Sequence, residues 1–158
     1  MAIQVGDTLP NIELRIPGKE GPEPIKTHDL FAGKKVVLFA VPGAFTPGCT
    51  LTHLPGYVVK ADEIKAKGVD SIICTAVNDA FVMDAWGKSQ NADAITLLAD
   101  GLGKFAAALG LDQDLSAPQL GQRSQRYAMI VNDCKVELLN IDEKSVDKSS
   151  AETLLAAL

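Results

Sequence analysis

Residues 36–50 read VVLFAVPGAFTPGCT. The first six, VVLFAV (36–41), are all apolar and rich in β-branched side chains, the pattern of a central strand buried on both faces. Pro42 and Gly43 end that run. From Thr50 to Lys67 the spacing is helical, with Leu51, Leu54, Val58, Ala61 and Ile64 recurring at three- and four-residue steps until Gly68 closes the segment. Pro55 lies inside it and predicts a kink. Cys49 therefore falls where a buried strand gives way to a helix.

Working outward, the same alternation continues. DSIICTAV (70–77) and AITLLAD (94–100) read as further buried strands. Between them NDAFVMDAWGK (78–88) predicts a helix with Asn78 or Asp79 as its N-cap. GKFAAALGL (103–111) predicts a short helix ending at Gly110. RYAMIVND (126–133) and KVELLNI (135–141) read as two strands split by a tight turn, and SAETLLAAL (150–158) as a last helix. Toward the N-terminus, NIELRI (11–16) has strand character, IPGKEGPEPIK (16–26) reads as a turn or short hairpin loop, and THDLFAGKK (27–35) as a capped short helix ended by Gly33. The sum is an α/β fold: a mixed sheet flanked by helices in a single domain over 1–158, its antiparallel part confined to the C-terminal third.

Composition narrows the function. The chain has 158 residues, 47% hydrophobic and 22% charged, as expected of a globular domain. A net charge of −5 argues against nucleic acid or an anionic membrane as partner. No apolar run approaches transmembrane length, and MAIQVGDTLP shows no basic segment followed by an apolar one, so a cytoplasmic protein is expected. Three cysteines do not form a disulfide framework; at least one working thiol in a reducing compartment fits better.

Cys49 is the candidate nucleophile. In the first turn of a helix, unpaired N–H groups and the positive end of the macrodipole favour an anion, which is how proteins make a thiolate. Thr46 can place its hydroxyl on the same turn and donate to the sulfur, and it also suits an N-cap. Pro42 and Pro47 wall the pocket without adding N–H donors, while Gly43 and Gly48 let the loop fold tightly. Taken alone, a free cysteine is more often a small buried hydrophobe; the strand-to-helix placement with Thr and Pro neighbours points to a reactive thiolate. A CxxC disulfide reductase is disfavoured, because Thr46 stands where the other cysteine would be needed. His53, four residues on, shares a helix face with Cys49. A hydrolase dyad or metal site there lacks a third ligand, so His53 is expected to help position the site; His28, far away, reads as a surface or cap residue. Cys74 sits mid-strand and reads as core, and Cys134, in the turn before Lys135, as an exposed incidental thiol. Arg123 and Arg126 flank the start of a late strand and are ordinary surface charges by residue type alone.

The spacing Pro42-x3-Thr46-x2-Cys49 matches the PxxxTxxC signature of peroxiredoxins. The longer string VPGAFTPGCT-x2-HLPGY resembles the type II, or peroxiredoxin 5-like, group. The similarity continues through KGVDSIICTAVND (67–79), FVMDAWGK (81–88), LLAD (97–100) and GQRSQRYAMIV (121–131). The resemblance implies a thioredoxin-like fold and a thiol-dependent peroxidase that needs no metal, haem or flavin. Cys49 would attack hydrogen peroxide or an organic hydroperoxide and become a sulfenic acid. Pro42, Thr46 and Arg126, favoured here over Arg123, would complete the catalytic set, and Phe45 and Gly48 would line the substrate pocket. Cys74 would be a possible resolving thiol, as in some plant members. No cysteine follows Cys134, which favours one-cysteine chemistry with an outside reductant: glutathione with glutaredoxin, or thioredoxin. The resemblance also implies a homodimer in which the loops carrying Phe45 and Phe81 meet. A peroxide sensor or relay using the same cysteine is the alternative reading.

Overall fold

The computed structural model describes residues 2–158. Its nine strands are β1 (Glu13–Gly18), β2 (Gly21–Lys26), β3 (Lys35–Ala40), β4 (Ser71–Ala76), β5 (Thr96–Ala99), β6 (Asp112–Leu115), β7 (Gly121–Ser124), β8 (Arg126–Asn132) and β9 (Lys135–Asp142). The helices are α1 (Thr27–Phe31), α2 (Leu54–Ala66), α3 (Ala80–Ser89), α4 (Lys104–Leu109) and α5 (Ala151–Ala156), with a π-helical turn, Cys49–His53, leading into α2.

Seven strands make one sheet in the order β2-β1-β5-β4-β3-β8-β9. β3, β4 and β5 run parallel, joined by helical crossovers, and every other pairing is antiparallel. The central run Val36–Ala40 is fully buried, as its composition predicts. Alternate residues of β3 enter different cores: Val37 and Phe39 face Tyr57, Met83 and Trp86 on one side, while Val36 and Leu38 face Phe31, Phe105 and Leu109 on the other. The sheet is thus a layer between two helical layers, the thioredoxin-like arrangement. Cys49, Cys74 and the helices α2, α3 and α5 share the first face.

Some local readings need correction. The antiparallel part is not confined to the C-terminal third, because β1 and β2 form a hairpin at the opposite edge of the sheet. The prolines that made GPEPIK look like a loop are tolerated because β2 is an edge strand with a single neighbour. The short polar pair β6 and β7 forms a separate two-stranded sheet that the hydrophobic pattern did not signal. Pro55 follows directly on the π turn, so the departure from regular α-helix lies in the turn before the proline. Cys134 is buried, not exposed. Asp133 and Cys134 both have positive φ (49° and 67°), the two-residue hairpin geometry, and Leu9 closes over the turn by donating its N–H to the Cys134 carbonyl at 2.8 Å. Burial pushes the Cys134 thiol pKa up, and the neighbouring Asp133 charge adds to it.

Asp79, not Asn78, caps α3, accepting from the Val82 N–H at 2.9 Å. Phe39 lies at the centre of the face that carries Cys49, stacked on Tyr57 with ring centroids 3.9 Å apart. Phe39→Ala should cost about 3–5 kcal/mol, read as a lowered urea midpoint with unchanged slope.

Candidate active site

Pro47 and Gly48 begin the helix that the π turn continues, so Cys49 lies in its first turn, where backbone N–H groups lack intrahelical acceptors. The Thr50 N–H donates to the Thr46 carbonyl at 2.9 Å, which makes Thr46 the residue from which the helix starts. Its hydroxyl does not donate to the sulfur as expected. It donates to the Gly43 carbonyl at 2.6 Å, the tight loop supplying a nearer acceptor, and only its lone pairs remain free. Two side chains secure this segment. Asn78 Oδ1 accepts from the Ala44 N–H at 2.9 Å, and the buried Trp86 donates its indole N–H to Thr50 Oγ1 at 3.1 Å. Phe45 is held with φ at 64°, a backbone region that favours glycine, and is 53% exposed. Pro42 and Thr46 are half-buried, Gly48 is exposed, and Cys49 is fully buried.

The structure brings Arg126 to the sulfur. Leaving β8 at its first residue, the guanidinium donates from Nη2 to Cys49 Sγ at 3.2 Å and from Nη1 to His53 Nδ1 at 2.7 Å. Gly48 allows the approach, since a Cβ there would lie 3.2 Å from Nη2. Arg123 is held elsewhere, donating from Nε to the Leu120 carbonyl and from Nη1 to the Val77 carbonyl, at 2.9 and 3.1 Å. Cys74 is fully buried opposite Phe39 in the β3–β4 pairing; burial raises its thiol pKa well above the ordinary value, and the Cys49 sulfur adds to this. His28 is half-buried, its Nε2 bonded to the Leu9 carbonyl at 2.7 Å.

His53 is buried, and its other ring nitrogen, Nε2, meets the Ser149 carbonyl at 2.9 Å. Tyr57 donates to the same carbonyl at 2.7 Å. Ser149 in turn donates its N–H and hydroxyl to Asp142 Oδ2, at 2.8 and 2.7 Å. Sequence reasoning missed Ser149, Asp142 and Asn78 as parts of the site; none carries a local signal, and Ser149 lies 96 residues from His53. Burial lowers the His53 pKa to about 4, helped by the Arg126 charge and opposed by the Ser149 carbonyl and Asp142.

Comparison of the whole chain with known proteins places it in a family. The redoxin family model matches residues 4–155. Rice peroxiredoxin-2C is 48% identical over 99% of this chain and 98% of its own length. The chain belongs to the type II peroxiredoxins. Arabidopsis peroxiredoxin-2D is 44% identical with the same coverage. Among solved structures, reduced Prx3 from Vibrio vulnificus in complex with hydrogen peroxide is 57% identical with a TM-score of 0.95, covering 98% of both chains. Peroxiredoxin 5 from Alvinella pompejana is 36% identical, with a TM-score of 0.87 over 98% of this chain and 97% of its own. This peroxiredoxin is accordingly a thiol-dependent peroxidase.

The buried His53 links stability to pH. Below pH 6.5 an unfolded histidine takes up a proton that the folded one refuses until about pH 4, so stability falls with acid across that window. Burial raises the Asp142 pKa, but hydrogen bonds from the Ser149 hydroxyl and from the Asp147, Ser149 and Lys148 N–H groups outweigh it and hold the carboxyl below its usual range, so its contribution is also lost on acidification. Urea unfolding at pH 4.5 should show roughly 2–3 kcal/mol less stability than at pH 7.5 from His53, and His53→Gln should flatten the profile.

Proposed function

We propose that Cys49 is the peroxidatic thiolate and that Arg126 and Thr46 serve its reaction. The reading rests on the hydrogen bond from Arg126 Nη2 to Cys49 Sγ at 3.2 Å. The Cys49 sulfur attacks the terminal oxygen of hydrogen peroxide or an organic hydroperoxide. An S–O bond forms, the O–O bond breaks, and the departing oxygen leaves as water or alcohol after taking a proton. Cys49, oxidised by two electrons, becomes a sulfenic acid. Arg126 faces both the sulfur and the charge that spreads over the O–O bond. Thr46, its proton committed to Gly43, accepts from the peroxide O–H and so aligns it. Backbone N–H groups of Gly48 and Cys49 in the first turn supply further donors. Pro42 shields the sulfur from competing donors.

The sulfenic acid is reduced by an outside thiol. That thiol forms a mixed disulfide and releases water; a second thiol then frees Cys49. Glutathione with glutaredoxin, or thioredoxin, is the reductant class that suits a chain whose other two thiols are buried. Such a reductant places the protein in a reducing compartment such as the cytoplasm. A homodimer through the Phe45 loop and the first turn of α3, which carries Phe81, is supported by the exposure of the two rings, 53% and 70%, and by the Asn78–Ala44 bond that ties the loop to the segment entering α3.

Cys49→Ser should abolish peroxide consumption, and retained turnover would overturn the reading. Arg126→Ala should slow oxidation of Cys49 by about 10²–10³-fold in stopped flow, while Arg123→Ala should leave it within a few-fold. Cys74→Ala should leave glutathione-supported turnover intact; loss of turnover with normal folding would make Cys74 the resolving thiol. Phe81→Glu should convert a dimer to monomer in sedimentation equilibrium.

A further inference from the structure

Beyond the residues of the signature motif, one chain of hydrogen bonds runs from the C-terminal loop to the sulfur. Asp142, at the end of β9, accepts from the N–H groups of Asp147, Lys148 and Ser149 and from the Ser149 hydroxyl, at 3.0, 3.1, 2.8 and 2.7 Å. These four bonds fold residues 142–149 around one carboxylate and aim the Ser149 carbonyl inward. That carbonyl meets His53 Nε2 at 2.9 Å, and His53 Nδ1 meets Arg126 Nη1 at 2.7 Å.

The chemistry of the two ends dictates the middle. A carbonyl can only accept and a guanidinium can only donate. The imidazole between them must carry its proton on Nε2 and present a lone pair at Nδ1. We propose that Asp142 and Ser149 are positioning residues for the peroxidase reaction: they hold His53 in the Nε2–H tautomer, whose Nδ1 lone pair fixes the Arg126 fork over Cys49. The inference rests on the reading of Cys49 and Arg126 given above. Because the guanidinium is rigid and planar, fixing Nη1 also fixes Nη2, the donor at 3.2 Å from the sulfur. A proton on Nδ1 would set a donor against a donor and release the arginine.

The groups that face the imidazole leave this as its one stable form. Arg126 approaches from β8, Asp142 acts through Ser149 from the end of β9, and Tyr57 lies on the same helix with Cys49 beyond the arginine. β3 brings the apolar Phe39 ring to 4.9 Å. Burial keeps the ring neutral well below pH 6.5, consistent with that geometry.

The test begins with nitrogen-detected NMR of the two histidines of the reduced protein, assigned with His28→Gln. His53 should be a neutral Nε2–H imidazole at pH 7 and remain so to about pH 5. An Nδ1–H tautomer or an imidazolium at pH 7 would overturn the proposal. Kinetics then separate positioning from mere structure. His53→Leu should slow Cys49 oxidation by at least about 10-fold, and His53→Gln, whose amide can accept from Arg126 and donate to Ser149, should recover most of the rate. Asp142→Asn should slow oxidation several-fold and broaden the His53 resonances. In an Arg126→Ala background, His53→Leu should cost nothing more, whereas additive losses, or equal losses for Leu and Gln, would sink the idea. The tautomer is read without peroxide. A wrong tautomer therefore removes the positioning role alone, whereas an unsubstituted protein inert to peroxide removes the peroxidase reading.

Discussion

The hydrogen bond from Arg126 to Cys49 joins residues 77 apart in sequence, and each end is set by a different part of the fold. β3 pairs with β8 from Lys35–Asn132 to Ala40–Tyr127, so the strand that leads to the cysteine loop ends next to the strand that begins with the arginine. The apolar run Val36–Ala40 of β3 fixes it at the sheet centre, and that burial brings the two ends together. Asn78, Trp86 and the Thr46–Gly43 bond then hold the loop so that the sulfur lies under the guanidinium.

The partner chosen for the other end of Arg126 also matters. A carboxylate within bonding distance would orient the guanidinium and neutralise it at once. A neutral imidazole orients it and leaves the positive charge undivided for the sulfur that it faces. The carboxylate of Asp142 is present, but two residues removed, with its charge spread over four loop donors. The arrangement separates the work of aiming a charge from the work of balancing it.

What could be read from the sequence follows from how local each signal is. The three parallel strands and the helices α3, α4 and α5 announced themselves because burial imposes periodicity within a few residues. Cys49 and Thr46 were legible for the same reason: strand end, loop and helix start are contiguous. β2 hid behind Pro22 and Pro24, which an edge strand tolerates. β6 and β7 are short and polar, and pair only with each other, so no apolar alternation marks them. Cys134 was misplaced because the positive φ angles that turn it inward depend on the hairpin and on Leu9 above it. That Arg126 and not Arg123 reaches the sulfur was suggested only by resemblance, since the two share type and neighbourhood. Ser149 meets His53 through a backbone carbonyl, which has no residue identity, and no sequence pattern could have exposed it.

The π turn carries a consequence for the angular phase of the helix. The Leu54 N–H bonds the Cys49 carbonyl five residues back, so Leu54 stacks over Cys49 and both are fully buried. In an ordinary α-helix, at 100° per residue, five residues would set the two about 140° apart. One of them would then leave the core: the thiol would turn toward solvent and away from the arginine, or the buried stripe of α2 would lose its first member. The wide turn acts as a one-residue phase shifter between a helix start aimed at the sulfur chemistry and a helix body aimed at the sheet. The count of residues between Cys49 and Leu54 is therefore as much a part of the active site as their identities.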